Sequence, residues 1–195
     1  GYFIRRVEQI LQKLGRKMIG WDEILDGGVS QSATVMSWRG DKGGIKAANQ
    51  GNQVIMTPWD VCYFDHYQGS KLFEPMAQSG YLPLEKVYGW EPISGDISSE
   101  NRDKILGGQA NLWSEYIPDA THAEYMIYPR LLALSEVLWA TDYRNYDNFR
   151  ERLKVAQKRL DCGGVNYHLP LPEGAEAQYV EFLDSVKVTL ENVTK

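Results

Sequence analysis

No stretch of this 195-residue chain approaches the roughly 20 unbroken apolar residues that a membrane-crossing helix needs, so the sequence offers no candidate span. Cysteine is scarce. Cys62 and Cys162 are the only two, too few for a disulfide framework, and they read as two unpaired, buried thiols. The three histidines, His66, His122 and His168, are scattered and show no metal-ligand spacing, so no metal or other cofactor is expected. Gly27-Gly28, Gly43-Gly44 and Gly163-Gly164 lack the strand-to-helix context of a phosphate cradle. Positive charge is in deficit, with a formal net charge of −5, which argues against nucleic acid or an anionic membrane as partner. The first residues lack the basic-then-apolar layout of a signal peptide, and no internal repeat or low-complexity tract occurs.

Aromatics, by contrast, are plentiful. The 43% apolar content and the length suit one domain with a substantial core. Twelve tyrosines and six tryptophans leave some over for a stacking surface. The chain opens inside a helical pattern (Phe3, Val7, Ile10, Leu11, Leu14) closed by Gly15. No cap stands ahead of it, so a segment preceding Gly1 is expected. Strands are predicted at Met18 to Glu23, Ala33 to Trp38, Val54 to Met56 and Ile105 to Leu112. The glycine-rich stretch Arg39 to Gly44 reads as a loop before a short helix through Ile45, Ala47 and Ala48. Residues 66 to 104 form a long connection with a helix near Leu84 to Tyr88, and a loop of that size is usually functional. Thr121 to Ala140 reads as one buried helix kinked at Pro129, and Asn148 to Leu160 as an amphipathic one.

Strands alternating with helices form a parallel α/β sheet with right-handed crossovers. Four such units make half of an eight-stranded (β/α)8 TIM barrel, spanning residues 1 to 168. Residues 169 to 195 then read as a linker and the first strands, Tyr179 to Phe182 and Val186 to Leu190, of a truncated β-domain. Half a barrel carries two open sheet edges, so self-association through them is expected.

Such barrels keep their chemistry at the C-terminal ends of the strands. Trp21, Trp38 and Trp113 each fall at one, beside Asp22-Glu23, Arg39 and Glu115. Taken singly, a tryptophan there is core. Three at equivalent positions read as a pocket, because a pyranose ring offers flat C–H faces to aromatics. Tyr63 and Asp65 are two residues apart and share one face if extended, a phenol donor beside a carboxylate acceptor. The alternative for that pair is a loop Asx-turn with a packed tyrosine. Glu115 follows Trp113 by the same step. Asp22 and Glu23 are adjacent and diverge, one turning in and the other capping the next turn. His66 reads as a loop hydrogen-bonder or an acid–base partner of Asp65, and Trp90 as a buried loop anchor or a stack for a leaving sugar.

Four motifs taken in order carry a resemblance: Gly20-Trp21-Asp22-Glu23, Met36-Ser37-Trp38-Arg39-Gly40, Tyr63-Phe64-Asp65, and Gly107-Gly108-Gln109-Ala110-Asn111-Leu112-Trp113-Ser114-Glu115. Over about residues 1 to 170 the chain resembles the second half of the catalytic barrel of β-N-acetylhexosaminidases, glycoside hydrolase family 20. The resemblance implies exo-acting hydrolysis of terminal N-acetylglucosamine or N-acetylgalactosamine, outside the cytoplasm. It implies a retaining, substrate-assisted mechanism in which the 2-acetamido oxygen is the nucleophile and an oxazolinium forms. By resemblance, Trp21, Trp38 and Trp113 enclose the acetamido group and Tyr63 orients its oxygen. Asp65 and Glu115 hold the 4- and 6-hydroxyls. The family's Asp-Glu acid–base pair belongs to the strand before the first one here, in a histidine-glycine context this sequence lacks, so the pair is expected upstream of Gly1. Asp22-Glu23 is not that pair, and residues 1 to 195 alone are expected to be inactive. The competing readings are a retaining glycosidase using Asp65 and Glu115 as its two carboxylates, a non-catalytic carbohydrate-binding module and a structural α/β domain. Exposed, coplanar tryptophans would favour the module, and full burial the structural domain. Asn192-Val193-Thr194 is a glycosylation sequon.

Overall fold

The computed structural model describes residues 1–140 and 143–169. The predicted linker from Pro170, the two β-domain strands and the Asn192 sequon lie outside these residues. Helix α1 (Tyr2–Lys13) precedes strand β1 (Ile19–Trp21), a 3₁₀ turn (Asp22–Gly27), β2 (Thr34–Ser37), α2 (Asp41–Asn49) and β3 (Gln53–Met56). A one-turn helix α3 (Trp59–Cys62) follows, then the short strands β4 (His66–Tyr67) and β5 (Gln78–Tyr81), α4 (Leu84–Tyr88), a 3₁₀ turn (Ser99–Lys104) and β6 (Ile105–Gly108). Helices α5 (Ala120–Ile127), α6 (Arg130–Trp139) and α7 (Tyr146–Cys162) complete the described chain.

Strands β1, β2, β3 and β6 form one sheet in that order, and every neighbouring pair is parallel. This is the predicted barrel portion. Alternation along the strands explains the packing. Val35, Val54 and Met56 are fully buried among the helices, while Ile19, Met36 and Ile55 on the other face keep part of their surface open. Strands β1 and β6 are the outer strands of this sheet.

Several features depart from the sequence prediction. Helix α2 begins at Asp41, so Gly43 and Gly44 lie inside it rather than in a loop. The glycines are there for close approach: a Cβ on Gly44 would stand 2.5 Å from the Met56 sulfur, and one on Gly43 2.8 Å from Asp22 Oδ2. The Ser37 hydroxyl accepts from Gly44 N at 2.7 Å and donates to Gly40 O at 2.7 Å, fixing the helix start against β2. The apolar run 121–140 forms two helices, not one kinked helix, because Pro129 has no N–H to continue α5 and stands just before α6. Cys162 is exposed at the end of α7 rather than buried, whereas Cys62 is buried as expected, and both are free thiols. Strand β6 also stops at Gly108, short of Leu112.

The 66–104 connection is compact. Strands β4 and β5 pair with each other, and the core includes Leu82, Val87, Tyr88 and Trp90. Trp90 is a buried anchor rather than a surface stack, and Arg144 Nη1 donates to its carbonyl at 2.7 Å. Its indole lies where a side chain on β6 would otherwise be: a Cβ on Gly108 would meet Trp90 at 2.9 Å and Leu138 at 3.0 Å. Gly108→Ala should therefore destabilise the protein by about 1–3 kcal/mol through overpacking. Urea unfolding of the full-length protein checks it. Unchanged stability would mean that Trp90 is free to move.

Candidate functional site

Parallel pairing brings the C-terminal ends of β1, β2, β3 and β6 to one edge of the sheet, and each end delivers predicted site residues there. Trp21 closes β1, and Trp38 follows β2. Beyond β3 the chain turns through α3, and Tyr63 to Asp65 then run beside the segment following β6. Asn111 N donates to Cys62 O at 2.8 Å and Phe64 N to Asn111 O at 2.7 Å, extending the parallel ladder past the named strands. The buried Asn111 amide ties this seam to the sheet: Nδ2 donates to Thr57 Oγ1 at 2.5 Å, and Oδ1 accepts from Gln109 Nε2 at 2.8 Å. That seam sets Trp113 against Tyr63.

The four aromatics form one continuous cluster. Trp21 and Trp113 have ring centroids 5.9 Å apart, tilted by 47°. Tyr63 meets Trp113 edge-on at 6.0 Å and 68°, and lies near-parallel to Trp38 at 6.3 Å and 14°. These are ordinary aromatic contact distances. The rings do not form a coplanar platform, and they are not sealed in the core. Trp113 is 41% exposed, and Trp21, Trp38 and Tyr63 are half-buried. Neither observation that would favour a flat binding module or a purely structural domain is met.

Asp22 and Glu23 diverge, as adjacent residues should. Asp22 is buried and accepts from Arg39 Nε at 2.6 Å and Arg39 N at 3.2 Å, bracing the turn after β2. Glu23 is exposed and accepts the Trp38 indole N–H at 3.0 Å on both oxygens, which orients that ring. Gly1, the residue upstream of which the acid–base pair is expected, is not itself part of the site. It is exposed and contributes no side chain to the cluster, and its backbone lies against Gly27, whose carbonyl a Cβ on Gly1 would meet at 2.5 Å. Burial raises the Tyr63 phenol above its usual value; a hydrogen-bonding contact from Trp113 opposes this, and the charges of Asp65, Asp22 and Glu23 reinforce it. The phenol therefore stays a neutral donor at neutral pH.

Asp65 is buried, and its Oδ1 has no hydrogen-bond partner among the described residues. Burial pushes this carboxyl above the usual carboxylate range. Its own backbone N–H pulls it back, exposed Glu115 pushes it further up, and Arg130 pulls it down. The two predicted carboxylates thus feel each other across the ends of β3 and β6. His66 is buried, edge-on to Trp59 at 5.9 Å and 6.3 Å from Tyr63. Burial, Arg130 and Lys86 all lower its pKa, so the ring is neutral at pH 7. Among the described residues no cluster of three or more His, Cys, Asp or Glu could hold a metal.

The sequence reading missed two supports. Arg130 is fully buried at the start of α6, and its guanidinium donates to the carbonyls of Phe64, His66, Leu82 and Met126. A lone arginine in an otherwise apolar run was the available signal, since buried charge is rare without a dedicated role. Asn111 was the other. The two-residue step that links Trp113 to Glu115 also runs back through Asn111 to Gln109.

The comparisons with known proteins agree. The model of glycosyl hydrolase family 20, catalytic domain, matches residues 1–142. A β-hexosaminidase of Porphyromonas gingivalis is 48% identical over 192 residues, covering 96% of this chain and 25% of that protein. One from Vibrio furnissii is 36% identical over 139 residues, covering 69% and 23%. The structure of a family 20 exo-β-N-acetylglucosaminidase from Vibrio harveyi in complex with N-acetylglucosamine superposes with a TM-score of 0.77 at 34% identity, over 88% of this chain and 27% of that one. The chain spans about a quarter of the length of these relatives.

The Asp65 environment has a measurable consequence. Its raised pKa means the native state holds the proton more tightly than the unfolded chain does. Its contribution to stability is therefore present at low pH and lost as pH rises through the folded value. Asp65→Asn should raise the Tm of the full-length protein at pH 7, and the gap should close as pH falls below the carboxylate range. Thermal scans across pH check the sign. A lower Tm at pH 7 would show that the charge stabilises the fold.

Proposed function

The chain belongs to glycosyl hydrolase family 20, and from that membership we propose that it forms the substrate-binding wall of an exo-acting β-N-acetylhexosaminidase. Its substrates are carbohydrates ending in N-acetylglucosamine or N-acetylgalactosamine. The observation that carries this reading is the half-open cluster of Trp21, Trp38, Tyr63 and Trp113, in which Trp38 and Trp113 flank one neutral phenol and Trp21 packs against Trp113.

The cluster suits a 2-acetamido group. Its methyl packs among the indoles, which also exclude water, and its carbonyl oxygen accepts from the Tyr63 hydroxyl. Held there, the oxygen attacks the anomeric carbon as the glycosidic bond breaks, giving an oxazolinium that water later opens with net retention. Tyr63 steadies the acetamido as charge develops, and the wall keeps it in an attacking pose. Asp65 and Glu115 bind the outer hydroxyls of the terminal ring, and closing the pocket there makes the enzyme exo-acting. An Asp-Glu pair upstream of Gly1, on the strand that would precede β1, completes the step: the glutamate protonates the departing oxygen and then activates water, and the aspartate steadies the acetamido nitrogen. Asp22-Glu23 does not serve as that pair, because Asp22 is buried against Arg39 and Glu23 is engaged by Trp38.

On this reading residues 1–195 alone do not turn over. Residues 1–168 are the barrel portion, and the outer strands β1 and β6 are edges through which an isolated piece would self-associate. As the family resemblance implies, we place the enzyme outside the cytoplasm. Among the described residues no helix is long and apolar enough to cross a membrane.

Tyr63→Phe in the full-length enzyme tests the role of the phenol. It should lower kcat on an aryl N-acetylglucosaminide by about 10²-fold, the size of one lost transition-state hydrogen bond, with KM little changed. A rise in KM at constant kcat would make Tyr63 a ground-state contact and remove it from the mechanism.

A further inference from the structure

We propose that Arg130 is a positioning residue for the sugar-binding wall: its guanidinium locks the backbone on both sides of Asp65 and so places a buried cation beside that segment. The inference deepens the proposed function and rests on it for the role of Asp65.

The geometry is that of a clamp. Arg130 Nη2 donates to Phe64 O at 2.5 Å and Nη1 to His66 O at 2.9 Å, so the residues before and after Asp65 are both held by one rigid group. The same guanidinium donates to Leu82 O at 3.1 Å and to Met126 O from Nε at 3.2 Å and Nη2 at 2.5 Å. It also lies over the Phe64 ring at 4.9 Å. The segment carrying Tyr63 and Asp65 is thereby joined to the end of β5 and to the α5–α6 junction. The planar guanidinium makes five hydrogen bonds to four carbonyls of three segments, more than the three N–H donors of a lysine ammonium can supply. A shift of Asp65 would require breaking this fork.

The electrostatics point the same way. Glu115, beyond β6, faces Asp65 and opposes its ionisation, while Arg130 favours it. Around the guanidinium lie Glu74 between β4 and β5, Asp65 itself and Tyr125 on α5. His66 faces the same guanidinium, with Lys86 on α4 and Asp60 on α3 beyond it. Burial brings Arg130 down to about 9, which leaves it a cation through the acidic and neutral range.

The test uses the full-length enzyme, with Arg130→Lys and Arg130→Gln, and every rate is expressed per folded molecule. It reads kcat and KM on an aryl N-acetylglucosaminide, and the Kd of N-acetylglucosamine from acid to neutral pH. Arg130→Lys keeps the charge but loses the fork. It should lose about 10–100-fold in kcat/KM, the effect of misplacing wall residues by about an ångström, with the acid limb of binding unmoved. Arg130→Gln should show the same loss and also move that limb to higher pH, because Asp65 has lost its cation. Wild-type kcat/KM in Arg130→Lys, or an unmoved acid limb in Arg130→Gln, would overturn the proposal. Should Arg130→Gln fail to fold, the rates of Arg130→Lys decide alone. An unmodified enzyme that does not hydrolyse the substrate would instead refute the proposed function, and the pH dependence of N-acetylglucosamine binding would still judge Arg130.

Discussion

One buried cation ties the segment around Asp65 to the end of β5 and to the α5–α6 junction. Arg130 sits at the first position of α6, late in the chain, yet its guanidinium reaches the carbonyls that follow β3 and β5. Taking such a charge out of water costs several kcal/mol unless its donors are met. Here five hydrogen bonds to four carbonyls meet them, and those carbonyls are themselves buried groups that need donors. The interaction is mutual: without the arginine, the Phe64 and His66 carbonyls would face an apolar helix. The strand-end segment is irregular, and this clamp does for it what ladder hydrogen bonds do for a strand.

The wall built on that segment is graded in polarity. Toward the core, Asp65 and His66 are buried, and desolvation disfavours the charged form of each. Toward solvent, Glu23 and Glu115 are exposed. Between them lie the four aromatics, whose tilts of 47° and 68° keep the rings from forming one flat face. Secondary contacts support three of the rings: Glu23 orients Trp38, and the Asn111 seam seats Trp113 against Tyr63. If the cluster holds one small group in one pose, as proposed, it needs preorganised neighbours more than many ligands.

The parts of the molecule legible in sequence are those with local signals. The four barrel strands, α1, α4 and α7 follow from periodicity and glycine punctuation. The gathering of Trp21, Trp38, Tyr63, Asp65, Trp113 and Glu115 beyond one edge of the sheet follows from their place after strands, while the role proposed for them rests on the family. What escaped depends on contacts between distant segments. Gly43 and Gly44 read as a loop because nothing local shows that Met56 and Asp22 crowd α2. The apolar run 121–140 divides at Pro129, and no periodicity argument distinguishes a kink from a break. Cys162 was expected inside and lies outside, since it falls after the last buried turn of α7. Arg130 is the sharpest case: its meaning lies in carbonyls more than forty positions away, which composition and spacing cannot reveal.

The central claim is that the aromatic wall exists to hold a nucleophile that the substrate itself carries. The most direct measurement compares hydrolysis of an aryl 2-acetamido-2-deoxyglucoside with that of the plain aryl glucoside by the full-length protein. Turnover should depend strongly on the acetamido group, because the plain sugar brings no nucleophile and leaves the tryptophans nothing to enclose. Equal rates on the two substrates would contradict it and would assign the chemistry to protein carboxylates, with Asp65 and Glu115 as the pair.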